Sequence, residues 1–135
     1  MVDTPEVPHP GRGANWIDPE FGPVWSTPHL SANSLIAIGT DPEGNPDSAW
    51  KVVRNIELPG AGSLFVKTHP NSKWVWVDFV LNSDEKLQRT VCVIAKENPT
   101  EVYKCWEAAD YGRAVHFEYN MDGTEVWVSI WGSAD

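Results

Sequence analysis

Positive charge is what this sequence has least of. Ten Lys and Arg stand against nineteen Asp and Glu, a net charge of −9. Such a chain repels a phosphate backbone and an anionic membrane surface alike, so nucleic-acid and membrane-surface functions are set aside. Long apolar runs are missing too: none approaches the roughly 18 residues of a bilayer-crossing helix, and membrane insertion is not expected. The stretch Met1 to Pro10 has neither the charged nor the apolar section of a secretory leader, so the sequence as it stands shows no address. Cysteine is limited to Cys92 and Cys105, and no CxxCH haem attachment exists. Thirteen positions apart in neighbouring β-rich runs, the two admit a disulfide, but two buried free thiols is the preferred reading. Spacings for a metal site, a nucleophile elbow or a phosphate loop are absent.

What is present is tryptophan, eight residues against four phenylalanines, so large flat side chains belong to the packing plan. Helical periodicity is hard to find, whereas short β-rich runs bounded by Pro, Gly, Asn and Asp occur throughout. Asn15 to Ile17, Val24 to His29, Leu35 to Gly39 and Trp50 to Leu58 form a first set of strands. Leu64 to Thr68, Trp74 to Val80, Thr90 to Lys96 and Glu101 to Glu107 form a second. Ala114 to Tyr119 and Glu125 to Trp131 begin a third.

The sets repeat. Val24-Trp25, Val75-Trp76 and Val126-Trp127 recur every 51 residues, each in the second strand of its set, and Asp18, His69 and Asn120 stand in the matching turns before them. A period near fifty with four strands per unit is the signature of β-propeller blades. The expected fold is therefore all-β, a partial β-propeller of about two and a half four-stranded antiparallel blades. The blades fall at 1–59, 60–110 and, incomplete, 111–135. Propellers close rings of about four to eight blades, so the chain is expected to be a fragment or to assemble with other copies. Trp25, Trp76 and Trp127 are assigned to packing between blades. His29 and His69 are read as structural, the latter bonding nearby backbone in its turn.

In a propeller the loops leading into the first strands converge over the central axis. Pro8 to Asn15 is such a loop: its prolines stiffen it, its glycines permit close approach, and His9 and Arg12 project from it. One period later stand Gly60 to Ser63, and one further Tyr111 to Ala114. His9, Arg12, Ser63, Arg113 and His116 are expected on one rim. An imidazole there can move a proton near neutrality and a guanidinium can clamp a carboxylate. The plainer alternative makes His9 a surface turn residue and Arg12 a solvated charge.

His9-Pro-Gly-Arg-Gly-Ala-Asn-Trp16, Gly22-Pro-Val-Trp-Ser-Thr27, Ile38-Gly-Thr-Asp-Pro42, Ala49-Trp-Lys-Val-Val53, Gly62-Ser-Leu-Phe-Val-Lys-Thr-His-Pro70 and Gly123-Thr-Glu-Val-Trp-Val-Ser129 follow one another in the chain. Together they resemble the C-terminal part of the haem d1 domain of the cytochrome cd1 nitrite reductases. That domain is an eight-bladed propeller, of which this chain would be about a third. The resemblance implies a respiratory, denitrifying enzyme that reduces nitrite to nitric oxide at haem d1, in which His9 is a distal proton donor. Arg12 would contact a carboxylate of the macrocycle. Val115 to Asn120 matches a segment lining the cofactor, with His116 where many relatives carry Gln.

The resemblance further implies a haem c in a separate N-terminal domain and a small electron donor, a cytochrome c or cupredoxin. A homodimer and a periplasmic location are implied as well. The axial ligand of the iron and a second distal histidine would lie upstream of Met1, so the isolated fragment is expected to be inactive. A non-reducing relative that binds haem d1 during its biosynthesis or insertion is the first alternative. A propeller serving as a protein-binding platform is the second.

Overall fold

The computed structural model describes residues 1–132, apart from the side chain of Arg12. Among the described residues ten strands form three antiparallel sheets, each ordered as the chain runs. The first holds β1 (Ala14–Asp18), β2 (Gly22–Pro28), β3 (Ser34–Gly39) and β4 (Val52–Glu57). The second holds β5 (Val66–Lys67), β6 (Trp74–Asp78), β7 (Thr90–Ala95) and β8 (Lys104–Glu107), and the third β9 (Arg113–Tyr119) with β10 (Val126–Trp131). The all-β partial propeller read from the repeat is what is found.

Period-two alternation sets the faces. In β1, Ala14, Trp16 and Asp18 turn inward while Asn15 and Ile17 turn out. One apolar core joins the first two sheets through Trp16, Val24, Leu35, Ile56, Val75 and Phe79; a smaller one joins the second to the third around Val91, Ala114 and Phe117. Inside the first sheet the Trp16 indole N–H donates to the Ser26 hydroxyl, which donates to the Ala14 carbonyl, whereas His29 Nε2, Trp76 Nε1 and Asp78 Oδ2 are buried without a hydrogen-bond partner among the described residues.

The three matching turns share one device. Asp18 Oδ1 accepts from the N–H groups of Glu20 and Phe21, His69 Nδ1 accepts from that of Asn71, and Asn120 Oδ1 accepts from those of Thr124 and Glu125. Each side chain thus supplies an acceptor that the tight turn leaves its amides lacking. His69 is structural, as read, and so is His29, buried with Nδ1 donating to the Ser34 carbonyl.

Several expectations need correction. Cys92 and Cys105 are joined in a disulfide, not free. They are directly opposed in the register of β7 and β8, which brings the Cα atoms to 4.1 Å. Of the tryptophan series, Trp76 does lie between sheets, 5.8 Å from the Phe117 ring and 5.3 Å from that of Trp106. Trp127 is 69 % exposed, because β10 is the last strand of its sheet and among the described residues nothing covers that face. Trp25 is half-buried against the leading loop, so close to Gly13 that a Cβ there would stand 2.4 Å from the indole. The strand expected from Trp50 begins at Val52, since Trp50 takes a left-handed φ of 61° in the turn before it. A short helix not foreseen, α1 (Glu85–Gln88), is capped by Asp84, whose carboxylate accepts from the Lys86 N–H.

Candidate functional site

The leading loop is pinned from both sides. The His9 N–H donates to the Pro28 carbonyl, the Leu30 N–H to the Val7 carbonyl, and Pro10–Arg12 then makes one 3-10 turn into β1. These bonds hold His9 at the first sheet while its ring reaches the second: Nδ1 lies 2.7 Å from the Leu64 carbonyl oxygen. A carbonyl only accepts, so Nδ1 carries the hydrogen and donates it. Nε2 is thereby the nitrogen left to exchange a proton.

Beside this ring stands Phe65, with centroids 6.4 Å from His9 and 5.0 Å from His116. The two imidazoles therefore flank one phenyl ring. His116 holds a left-handed φ of 61°, which costs a non-glycine residue energy and must be supported by its surroundings. Its Nε2 lies 3.0 Å from Glu118, and Lys67 reaches the same carboxylate at 3.2 Å. Gly11, Phe65, Lys67, His116 and Glu118 line a polar notch of about 140 Å³. Nothing lies within 4 Å of where a Cβ on Gly11 would be, so the loop leaves that side open.

Under the rim lies Asp78, fully buried at the end of β6. Its Oδ1 accepts from the Leu64 N–H at 2.8 Å, the Phe65 N–H at 3.3 Å and the Ser63 hydroxyl at 3.5 Å. Its other oxygen, Oδ2, is buried with no hydrogen-bond partner among the described residues. Burial pushes this carboxyl up to about 6, and the amide donors offset only part of that effect. The same bonds explain why β5 starts at Val66 and not at Leu64: the N–H groups of residues 64 and 65 go to a side chain and not to a strand ladder.

Of the five residues expected on the rim, His9 and His116 come together, 5.0 to 6.4 Å from the shared Phe65 ring. Ser63 does not reach the surface; it is buried with Asp78. Arg113 donates to the Val80 carbonyl at 3.2 Å. The Arg12 side chain lies outside the described residues. Sequence reasoning missed Phe65, Lys67, Glu118 and Asp78. Lys67 and Glu118 are themselves 51 residues apart, so the repeat carried their pairing. The mark of Asp78 was a lone charge inside the apolar run Trp74 to Val80.

The family model described as "Cytochrome D1 heme domain" matches residues 1–135. A nitrite reductase of Stutzerimonas stutzeri is 42% identical over a 146-residue alignment that covers 98% of this chain and 26% of the relative. Protein NirF of Pseudomonas aeruginosa is 28% identical, over 90% of this chain and 33% of that protein. Among solved structures, the dihydro-heme d1 dehydrogenase NirN in complex with DHE superposes with a TM-score of 0.78 at 23% identity, over 96% of this chain and 25% of that one. The chain thus spans between a quarter and a third of the length of these relatives.

Proposed function

The chain belongs to the cytochrome D1 heme domain family, and from that premise we propose that it is part of a denitrifying nitrite reductase in which His9 gives a proton to nitrite. The overall reaction takes nitrite, two protons and one electron to nitric oxide and water. Haem d1, when bound, would supply the electron and the place where nitrite is held. This chain would supply the grip, a proton and a field.

The rim suits the edge of a flat, acidic macrocycle. Phe65 offers an aromatic face, Gly11 an unobstructed approach, and Lys67 and His116 put donors beside the notch. Arg12 and His116 are the proposed cofactor contacts, Arg12 through a charge-assisted pair with a carboxylate.

The observation that carries the reading is the bond between His9 Nδ1 and the Leu64 carbonyl. With Nδ1 committed, the imidazolium gives its Nε2 proton to the departing oxygen while its charge attracts the anion. Replacing His9 by Ala in a complete protein carrying this chain should lower nitrite turnover by roughly 10² to 10⁴-fold with haem content retained. Unchanged turnover removes His9 from the mechanism.

The complete protein would carry haem c in a separate domain, draw electrons from a cytochrome c or cupredoxin, work as a homodimer and reside in the periplasm. The Cys92–Cys105 disulfide supports such an oxidising compartment. The likeness to NirN, named as a dehydrogenase of dihydro-heme d1, favours a second reading: a haem d1-binding protein of cofactor biosynthesis or insertion. A CxxCH-bearing domain of the nitrite reductase type upstream supports the reductase over this alternative.

A further inference from the structure

Asp78 has no part in the chemistry so far, yet it is the most heavily engaged carboxylate under the rim. The Phe65 N–H and the Leu64 carbonyl belong to one peptide unit. That unit is gripped at both ends: Asp78 Oδ1 takes its N–H at 3.3 Å, and His9 Nδ1 donates to its oxygen at 2.7 Å. The preceding N–H, of Leu64, goes to the same Oδ1 at 2.8 Å. A carboxylate that draws on the N–H end of a peptide makes the carbonyl end a better acceptor, because hydrogen bonds in a chain polarise one another where water is excluded.

We infer that Asp78 is a positioning residue for His9, acting through the Leu64–Phe65 peptide to hold the Nδ1–H tautomer and fix the ring beside Phe65 and His116. In effect a carboxylate and an imidazole form a dyad with one peptide interposed. Burying a carboxylate is costly, and this arrangement gives the burial a purpose. The inference rests on the proposed role of His9 only for its effect on turnover; the geometry it claims is separate.

The test is Asp78→Asn in the complete protein, labelled with ¹⁵N-histidine. The substitution keeps shape and one acceptor oxygen but removes the charge. In the wild type the His9 ring should give the nitrogen shifts of a single Nδ1–H tautomer when neutral. In D78N the preference should weaken by about five-fold, so that both tautomers are seen, and nitrite turnover should fall while the KM for nitrite holds. An unchanged tautomer in D78N overturns the inference. A mixed tautomer with full turnover in both D78N and His9→Ala upholds the positioning role and overturns the proton-donor reading instead. If D78N does not fold, Asp78→Glu takes its place. One methylene longer, it keeps the charge but displaces the carboxylate from the two N–H groups, and a single Nδ1–H form there overturns the inference equally.

Discussion

Neutralising Asp78 should remove a pH dependence of stability that the wild type carries. The carboxyl is pushed from 3.8 up to about 6 by burial. A raised acid pKa means the folded state holds the proton more tightly than the unfolded chain. This group therefore costs nothing when protonated in both states, below pH 3.8. Its cost grows as the pH rises from 3.8 to about 6 and is constant above. The gap corresponds to about 3 kcal/mol in full, of which about 1 kcal/mol develops between pH 5 and 7.

That window is well chosen because the other shifted carboxyls act elsewhere and with the opposite sign. Asp18 and Asp41 are lowered from 3.8 and Glu107 from 4.5, so what they contribute is present above those values and is lost only on further acidification. Urea unfolding of the complete protein at pH 5, 6 and 7 should show D78N gaining about 1 kcal/mol on the wild type from the lowest pH to the highest. Parallel trends in the two proteins would refute the claim that Asp78 is buried as an ionised group near neutrality.

Other outcomes follow from the same contacts. Asp18 is fully buried, accepts from Arg54 Nε and Nη2 at 3.0 Å each and caps its turn; Asp18→Ala should cost about 3 to 5 kcal/mol in chemical unfolding, whereas Glu20→Ala, at the exposed end of the same guanidinium, should cost about 1 kcal/mol or less. Although burial opposes the charged form of Asp18, its bonds to Arg54 and the turn amides hold its pKa below 3.8 overall, so the advantage of wild type over D18A should shrink as the pH falls through that lowered value. Replacing Cys92 and Cys105 together by Ser should lower stability by about 2 to 4 kcal/mol, and dithiothreitol should then have no further effect on the unfolding midpoint.

How much of this could be read from the chain depends on what kind of fact it is. The strands and their turns were legible because they are local: Trp74 to Asp78 alternates in and out, and Asn120-Met121-Asp122-Gly123 is a turn by its residues alone. The repeat then stacked the sheets without any pairing information. What failed depends on register or on neighbours. Cys92 and Cys105 meet because β7 and β8 pair in one register, which spacing does not determine. Trp127 has the same sequence context as Trp76 but no adjoining sheet among the described residues, so the same indole is exposed in one and packed in the other. At the site, His9 was legible as a polar residue in a stiff loop. Its bond to Leu64 crosses 55 positions between two sheets, and the buried carboxylate behind that carbonyl is visible only in three dimensions.

The turn position shared by Asp18, His69 and Asn120 asks for a lone pair and nothing more. A carboxylate, an imidazole and a neutral amide each meet that demand, reaching amides two and three, two, and four and five positions on, so the three units differ both electrically and in the reach of the turn. Asp18 has recruited Arg54 into an ion pair, and His69 has laid its ring 5.5 Å from that of Tyr119. Asn120 has gained only the nearby Thr124 hydroxyl, which accepts from its amide. What the units hold in common is therefore a task, one acceptor at the mouth of each corner, and neither a charge nor a single backbone path.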